Sequence, residues 1–371
     1  MKISCPQEVL AAALSAVSHA LPSRTTLPIL EGVLMTTDDH GLVIAASDLQ
    51  KAIEVRVPAM VAQPGTVLLP GKLLIEVVRK FPSGDVDIET GDKTAKLFCS
   101  QAKASMHILD AAEYPALPLF DAQEKVSLLQ GDLRSMISQT AYAVSLDESR
   151  MILTGALLEM EEKQTRMVAL DGYRLAMNQM EIEGQAEPMS VVVPGTAWTE
   201  ISRLMTTPEE PVFLSLSPTH LMVEVDNVRI AARLLDGEFI KYRQIIPGEW
   251  LTRTRFSKRA LQEAVDRCAT MAKDGRSNLI TLAIGGKSIV ASAEGEFGAA
   301  EESIDATTEG KDMDIAFNVR YLADALKAID DEQLFMCFNT PVTPAVLKPL
   351  AGDGFLHLVL PVRTFPRTRE E

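Results

Sequence analysis

The sequence is poor in the residues that build metal, cofactor and covalent catalytic sites. Its four cysteines lie far apart with no CxxC pair, which excludes a disulfide scaffold and is typical of reduced, buried thiols (Cys5, Cys99, Cys268 and Cys337). Its five histidines show neither HExxH nor any paired spacing, and no GxSxG or GxGxxG motif occurs. We therefore expect no metal, no cofactor and no catalytic site.

Long apolar runs and basic residues are also scarce. No stretch reaches the roughly 18 apolar residues of a membrane-spanning helix, and the first residues, MKISCPQEVL, lack the apolar core of a signal peptide. These features predict a cytoplasmic protein. The 36 Lys and Arg against 51 Asp and Glu give a net charge of −15, which argues against adhesion of the whole surface to DNA or to an anionic membrane but permits a local basic face.

The chain contains a long internal repeat. At roughly 150 residues a domain, 371 residues predict two or three domains. Three segments read as a strand end, a turn and an amphipathic helix, with Pro70, Pro194 and Asn318 recurring at intervals of 124 residues: LLPGKLLIEVVRKFP (68–82), VVPGTAWTEISRLMT (192–206) and AFNVRYLADALKAID (316–330). A second, acidic marker recurs every 123 residues: Asp48, Asp171 and Glu294.

Each repeat combines two helices with short strands. Apolar residues at helical spacing predict opening helices over 7–20, 131–145 and 257–273, with Ser257 as an N-cap. The three recurring segments, 68–82, 192–206 and 316–330, predict second helices over 72–80, 196–206 and 319–329. Alternating or apolar runs predict strands, for example over 53–57, 221–225 and 355–362. We therefore expect an α+β fold of three domains, 1–119, 125–248 and 249–371, each with one antiparallel sheet and both helices on one of its faces.

The charges are divided unevenly between these predicted elements. The six helices together hold 11 bases and 7 acids, whereas the rest of the chain holds 25 bases and 44 acids. If the helices line one wall of the protein, that wall faces a polyanion. Its contacts would be made to phosphates, so binding would depend on the salt concentration and not on the base sequence. The alternative is that Lys and Arg are good helix formers on solvated faces, and the charge count by itself favours this alternative.

Several stretches spread over all three repeats resemble one family. They are RTTLPILEGVL (24–34), SDLQKAIEVRV (47–57), VALDGYRLAM (168–177), LLDGEFIKYRQIIP (234–247), FNVRYLADAL (317–326) and VLPVR (359–363). Together they are similar to the bacterial sliding clamps, the beta subunit of DNA polymerase III. The resemblance implies three similar domains in each chain and a head-to-tail homodimeric ring. Helices would line its hole, sheets would form its outside, and duplex DNA would thread through it.

The resemblance also implies a function and partners. Such a ring is a processivity factor without a catalytic site, which tethers the DNA polymerase III catalytic subunit to double-stranded DNA and slides along it. The implied partners are that subunit, the clamp loader, other polymerases and repair proteins, with no membrane. By resemblance the DNA-facing candidates are Arg24, Lys72, Arg79, Arg134, Arg150 and Arg203. The chain departs from several members where it reads Asp147, Met151 and Ile152, and again at Gly195 and Thr196.

Partners are expected to dock through a hydrophobic groove between the second and third domains. An apolar slot takes a Leu or Phe of a short linear peptide, and a polar rim fixes its orientation. The matching positions are Leu153, Leu170, Gly172, Tyr173, Arg174, Leu175, Ile240, Ile245, Val342, Pro344, Leu358, Val359, Leu360, Pro361, Val362 and Arg363. Without the resemblance, these residues read as core strand positions. In the family, His, Pro and Arg are frequent at the positions of Tyr173, Ile240 and Gln244, respectively. After Arg363 the chain continues through TFPRTREE.

Ring closure is expected between the first domain of one copy and the third domain of the next. By resemblance the contacts are Lys72, Val77, Lys103 and Met106 on one side and Thr270, Met271, Glu296, Glu301 and Glu302 on the other. Two alternatives to a clamp are a metabolic enzyme of α+β fold and an acidic peptide-binding scaffold without a DNA role. A group of catalytic side chains in one place would favour the enzyme. A cellular function that is unchanged when the charges of the helices are reversed would favour the scaffold.

Overall fold

A computed structural model of the chain describes residues 1–118, 125–274 and 278–364, and this range contains all six predicted helices. Their observed bounds agree with the predicted spans to within a few residues. They are α1 (Gln7–Val17), α2 (Gly71–Lys80), α3 (Gln130–Thr140), α4 (Gly195–Leu204), α5 (Lys258–Asp274) and α6 (Val319–Ala328). Short 3₁₀ turns extend α1 over Ser18–Ala20 and follow α3 over Ala141–Ala143, which explains the longer predicted helices there.

Local chemistry accounts for where the helices begin and which face they bury. The buried residues of α1, Leu10, Leu14 and Val17, recur at helical spacing and form one apolar face. The Ser257 hydroxyl accepts a hydrogen bond from the Ala260 amide at 3.4 Å, which confirms the predicted N-cap of α5. The same position of α6 is taken by Asn318, whose side chain accepts from the Arg320 amide at 3.0 Å.

Most strands are short, except for Gly155–Leu170 and Arg174–Pro194, and all pairings between the described strands are antiparallel. Numbered along the chain, they are β1 (Lys2–Pro6), β2 (Gly32–Asp38), β3 (Gly41–Ser47), β4 (Lys51–Val57), β5 (Met60–Gln63), β6 (Thr66–Pro70), β7 (Asp85–Thr90), β8 (Thr94–Cys99), β9 (Ala102–His107), β10 (Val126–Leu129), β11 (Gly155–Leu170), β12 (Arg174–Pro194), β13 (Pro211–Leu216), β14 (His220–Val225), β15 (Val228–Arg233), β16 (Thr252–Ser257), β17 (Leu279–Gly285), β18 (Ser288–Glu294), β19 (Ala299–Glu309), β20 (Met313–Asn318), β21 (Gln333–Phe338), β22 (Ala345–Pro349) and β23 (Phe355–Val359). The antiparallel α+β fold is therefore confirmed.

Tertiary contacts divide the chain into two compact units that do not follow the repeats. Unit 1 comprises Met1–Asp132 with Glu200–Leu234, and unit 2 comprises Leu133–Thr199 with Leu235–Glu371. The predicted domain limits at 119, 125 and 248 stay a prediction. The joint at 119–124 lies outside the described residues.

Unit 1 contains two sheets, with strand orders β5-β1-β7-β8-β9 and β10-β13-β14-β15-β4-β3-β2-β6. The strands of the first repeat are therefore shared between two sheets, and the expectation of one sheet per repeat is wrong. The second sheet also joins two repeats, because β4 pairs with β15 and places Ile53 opposite Ile230. An exposed strand edge offers unpaired backbone groups, and pairing it with the edge of the next repeat satisfies them.

Unit 2 contains one sheet of ten strands in the order β11-β12-β23-β22-β21-β16-β19-β18-β17-β20. Its central joint is the pairing of β12 with β23, where Leu175 lies opposite Leu358. The helices α5 and α6 pack on the strands of the third repeat through a buried core that includes Leu261, Phe317 and Leu322. The same sheet therefore carries both a domain core and the segments of the predicted groove.

The four cysteines are free and buried. Burial raises the pKa of the Cys5 and Cys337 thiols to about 11, so these thiols stay protonated and unreactive at neutral pH. Within the described ranges, no group of His, Cys, Asp and Glu side chains is arranged to hold a metal ion. None of the helices in the same ranges is long and apolar enough to cross a membrane.

Candidate peptide groove, helix cations and strand edges

Three predicted groove residues on strands, Leu170, Leu175 and Leu358, belong to one buried apolar cluster of unit 2. In the antiparallel ladder, Leu358 lies opposite Leu175 on one side and opposite Val346 on the other. Leu153 and Leu170 complete this part of the cluster, and the five side chains are at most 3% exposed. These side chains are buried, as the core interpretation predicts, and the exposed side chains of the predicted groove lie around them.

Four exposed apolar side chains lie on loops that adjoin this cluster. Ile240 and Ile245 are both 40% exposed and are tied by backbone hydrogen bonds, of 2.6 and 2.9 Å, to Tyr242, which is a member of the cluster. Val342 precedes β22 and is 57% exposed, and Val362 follows β23 and is 37% exposed. Exposed aliphatic side chains next to a buried apolar floor are what a short apolar peptide segment requires.

The turn between β11 and β12 forms the polar part of the site. The Asp171 carboxylate accepts hydrogen bonds from the backbone amides of Tyr173 and Arg174 at 2.8 and 3.0 Å. Gly172 has φ +94°, which favours glycine, and a Cβ there would lie 3.3 Å from the Arg150 guanidinium. Arg150 itself donates to the Asp171 carbonyl at 3.3 Å. The structure thus brings Arg150, a DNA-facing candidate, to this turn and not to a helix face.

Tyr321 is a residue of this site that sequence reasoning missed. Its ring stacks on the 58% exposed ring of Tyr173 with centroids 5.9 Å apart. Tyr321 lies in the matching stretch FNVRYLADAL, and its position on α6 was predicted. The sequence held no signal that this ring meets residue 173, because that contact depends on how α6 packs against the β11–β12 turn.

A charged network supports the floor from one side. The Tyr242 hydroxyl donates to the Glu159 carboxylate at 2.7 Å, and Arg166 and Arg243 pair with the same carboxylate at 3.2 and 2.9 Å. Burial, followed by the contact with Glu159, raises the pKa of Tyr242 to about 12. The hydroxyl therefore remains a donor at neutral pH and holds the Tyr242 side chain at Glu159.

The predicted DNA-facing cations of unit 1 are exposed. Lys72 and Arg79 lie on α2 and border a concavity of about 440 Å³ that Ser18, Ser23 and Glu76 also line. Glu76 pairs with Lys80 at 2.7 Å. Arg24, in the loop that follows α1, is exposed as well. These side chains form a small basic surface at the α1–α2 end of the unit.

Two further candidates lie on the helices of the second repeat. Arg203 on α4 is exposed and pairs with Glu200 at 2.8 Å, while Glu200 also contacts His19 at 3.1 Å. Arg134 on α3 is exposed. Pairing with a carboxylate of its own chain reduces the attraction of Arg203 for a phosphate.

The strand edges with unpaired backbone groups include those of β9 and β19. In unit 1, β9 is the last strand of its sheet. In unit 2, β19 pairs with β18 along residues 299–305, while β16 covers only residues 306–309 on its other side. Residues 299–305 therefore present an open edge, as residues 102–107 do. Open edges of this kind accept strands of another chain.

Some of the predicted interface residues lie on these strands, and the others lie on α2, on α5 and just before β19. Those with exposed or half-buried side chains are Lys72, Val77, Lys103, Thr270, Met271, Glu296 and Glu301. Met106 differs, because its side chain points into the sheet packing and is only 4% exposed, so it offers almost no contact surface. Glu302 is occupied within its own chain by Arg267, at 2.6 Å, and this pairing lowers the pKa of the Glu302 carboxyl.

The remaining candidates for the peptide groove also divide into buried and exposed side chains. Val359 is buried, Pro344, Leu360 and Pro361 are half-buried, and Arg363 is exposed. Of the C-terminal extension, residues 365–371 lie outside the described residues.

Comparison with known proteins covers nearly all of the described chain. Models of three parts of one family match in order: the DNA polymerase III beta subunit N-terminal domain at residues 1–118, its central domain at 127–241 and its C-terminal domain at 243–363. The chain belongs to the DNA polymerase III beta subunit family, the bacterial sliding clamps.

Individual relatives agree with this assignment. The beta sliding clamp of Staphylococcus aureus strain Mu50 is 31% identical over 357 residues, which cover 93% of this chain and 95% of the relative. The crystal structure of the Bacillus subtilis DNA polymerase sliding clamp matches with a TM-score of 0.96 at 30% identity and covers 98% of this chain and 100% of that one. A clamp of Pseudomonas aeruginosa solved bound to griselimycin, with the same coverage, matches with a TM-score of 0.92 at 25% identity.

Membership in the family establishes what the chain does. Sliding clamps are non-catalytic subunits of the DNA polymerase III holoenzyme that encircle DNA and confer processivity in replication. They form homodimers and bind polymerase and clamp loader through a peptide groove. The resemblance seen in the sequence is confirmed, and so is the prediction of a sliding clamp without catalytic activity of its own.

Proposed function

We propose that this clamp closes into a ring by pairing two copies head to tail at the open edges of β9 and β19, and that its domains are 1–119, 125–248 and 249–371. The two open edges are of similar length and lie in different units. The β9 side carries Lys72 and Lys103, and the β19 side carries Glu296 and Glu301, so the charges are complementary. Complementary charges set which strands pair and in which register.

A charge exchange tests the ring. Lys103→Glu and Glu301→Lys each place like charges across the joint, and each variant is expected to sediment with a larger monomer fraction than the wild type. Because each copy carries both edges, the double variant restores the complementarity and is expected to recover the dimer. An unchanged mass in both single variants, or no recovery in the double variant, would contradict this pairing.

We propose that partner peptides bind over the apolar floor of unit 2, with contacts from Ile240, Ile245, Val342 and Val362. The observation that carries this proposal is the combination of a buried cluster with exposed aliphatic side chains on the loops next to it. Exposed apolar groups of this kind stabilise a complex when a ligand removes them from water. Arg174 and Tyr173 form the polar and aromatic end of the same surface.

The double variant Ile240→Ala and Val342→Ala tests the groove. Loss of two aliphatic contacts is expected to weaken a peptide from the polymerase III catalytic subunit by about tenfold or more, at roughly 25 cal/mol per Å² of apolar area. Met60→Ala, which truncates a 78% exposed side chain of unit 1, is the matched control and is expected to bind normally. Griselimycin serves as a second probe. Equal affinities for the double variant and the control would refute the groove assignment.

We propose that DNA is attracted by the exposed cations of the helices and the adjoining loop, chiefly Arg24, Lys72, Arg79, Arg134 and Arg203. Phosphate contacts of this kind are independent of base sequence. The Glu200–Arg203 pair keeps one of them weak, as a sliding ring requires. Arg150 has a smaller part, because its guanidinium is directed at the Asp171 carbonyl.

Retention on circular DNA tests this surface. The clamp, placed by its loader on a nicked circle, is expected to stay bound and to run off once the circle is linearised. Arg134→Glu with Arg203→Glu is expected to lose loading or retention. The control, Lys163→Glu with Arg255→Glu, makes the same change of charge on exposed strand residues and is expected to behave as the wild type. Normal retention of the first pair would favour the acidic scaffold without a DNA role.

We also propose that the clamp works in the cytoplasm. Bacterial replication takes place there, and free, buried cysteines are typical of a reducing compartment. Fractionation of cells that express a tagged chain tests this location. Recovery of the tagged chain in the periplasmic or membrane fraction would contradict it.

A further inference from the structure

Arg174 is held on every side by its own chain. Its Nε pairs with Asp171 at 3.0 Å, its Nη1 pairs with Asp324 at 2.7 Å, and its Nη2 donates to the Tyr142 carbonyl at 2.9 Å. The guanidinium carbon also lies 5.1 Å from the ring centroid of Tyr142 and 4.8 Å from that of Tyr321. The side chain is 11% exposed. These contacts leave Arg174 little freedom to move.

The partners of Arg174 belong to elements that are far apart in the sequence. Asp171 lies in the turn between β11 and β12, Tyr142 lies in the 3₁₀ turn after α3, and Asp324 and Tyr321 lie on α6. Arg174 therefore joins three elements of unit 2 at one point. Asp324 is the only charged contact that it makes to α6 among the described residues.

This junction lies directly beneath the aromatic end of the proposed groove. Tyr173, the neighbour of Arg174, stacks on Tyr321, and its carbonyl accepts the Leu360 amide at 2.8 Å. Leu360 follows β23, the strand that carries Leu358 of the apolar floor. A shift of the turn would consequently move the exposed Tyr173 ring relative to the floor.

A second layer of contacts supports the junction from the core. The Tyr142 hydroxyl and the His357 Nδ1 are 2.8 Å apart, and the two rings stack with centroids 5.7 Å apart. His357 is fully buried on β23, where it lies opposite Ala176 of β12. Tyr142 is thus fixed on both of its sides, and Arg174 with its carboxylate partner Asp324 links it to α6.

We propose that Asp324 is a positioning residue of the peptide groove. By holding Arg174 against α6, it fixes the β11–β12 turn and presents the Tyr173 ring at one end of the floor before a peptide arrives. Binding to a rim that is already ordered avoids the entropy cost of ordering it in the complex. The inference rests on the groove proposed above and adds a residue of α6 that does not itself contact the ligand.

The expected effect follows from the burial of Arg174, since Asp324 itself is 36% exposed. Asp324→Ala removes one of the two carboxylates that face a guanidinium of 11% exposure, and breaking such a pair disrupts the local arrangement. We expect the peptide to bind about tenfold more weakly, mainly through faster dissociation. Asp324→Asn keeps the shape and one acceptor for Arg174, so its affinity is expected to lie between those of the wild type and Asp324→Ala.

Binding of a fluorescent peptide from the polymerase III catalytic subunit to the full clamp tests the proposal. The matched control is Lys327→Ala, which breaks another ion pair of α6, the 3.7 Å contact with Asp266, and is expected to leave affinity unchanged. Dissociation rates and thermal midpoints are measured for all four proteins. Wild-type affinity of Asp324→Ala, or an equal loss in Lys327→Ala, would overturn the proposal.

A folding defect is separated from a positioning effect by the conservative variant. If Asp324→Ala has a lowered thermal midpoint, the Asp324→Asn variant decides the question. Weaker peptide binding by Asp324→Asn at a normal thermal midpoint supports the proposal. Unchanged peptide binding by Asp324→Asn overturns it. Failure of the groove itself gives a different result. In that case Ile240→Ala with Val342→Ala binds the peptide as the wild type does, whatever the behaviour of the Asp324 variants.

Discussion

The buried imidazole of His357 makes the stability of unit 2 depend on pH. Replacing this histidine is expected to remove its part of that pH dependence. His357 is fully buried, and burial lowers its pKa from 6.5 to about 3. Its Nδ1 faces the Tyr142 hydroxyl at 2.8 Å, and its Nε2 has no partner among the described protein atoms. The native unit therefore keeps this ring neutral at pH values where the unfolded chain protonates it.

The magnitude follows from proton linkage. Between about pH 6.5 and pH 3 the unfolded state binds a proton at His357 that the native state excludes. Above about pH 6.5, His357 therefore has no effect on the free energy of unfolding. Below that pH, it lowers the free energy of unfolding by about 1.4 kcal/mol for each pH unit. At pH 5 the loss from this one residue is about 2 kcal/mol.

Tryptophan fluorescence during urea unfolding measures this effect. Both tryptophans of the chain, Trp198 and Trp250, belong to unit 2, so they report the unit that contains His357. His357→Gln retains a side-chain acceptor for Tyr142 but does not titrate. Between pH 7.5 and pH 5 it is expected to lose about 2 kcal/mol less stability than the wild type loses.

The control replaces a histidine on the surface. His40→Gln changes an exposed turn of unit 1 and is expected to leave the pH dependence of the tryptophan signal unchanged. The same loss of stability in His357→Gln as in the wild type would refute the assignment of this pH dependence to the buried ring.

Three further predictions concern packing, charge and backbone conformation. Trp198→Ala empties a fully buried site and is expected to cost about 3–5 kcal/mol, read as a lower urea midpoint from the remaining tryptophan. Glu200→Gln releases Arg203 from its 2.8 Å ion pair and is expected to slow diffusion along DNA in single-molecule tracking; unchanged diffusion would argue against contact with DNA there. Gly310→Ala places a Cβ 2.5 Å from the Leu251 carbonyl at φ +117° and is expected to lower the thermal midpoint, whereas an unchanged midpoint would show that the turn adapts.

The candidate site could be predicted only in part. The family motifs indicated Leu358 and Ile240 alike, but only the structure separates a buried floor residue from an exposed contact residue. Motifs gave no indication of Tyr321 and Asp324 as neighbours of the β11–β12 turn, because the contact joins segments about 150 residues apart. Met106 shows the opposite case, in which a position that matches the family's interface has its side chain inside the sheet packing.

Local sequence patterns were sufficient to predict the three repeats, the six helices and the cap at Ser257. These features follow from interactions within a few residues, since helical spacing of apolar residues and capping hydroxyls act locally. Tertiary structure alone decided that β4 pairs with β15 and β12 with β23, so that sheets continue from one repeat to the next. Apolar alternation identifies a strand but not its neighbour, because backbone hydrogen-bonding groups are the same at every edge and the choice depends on packing across the whole unit.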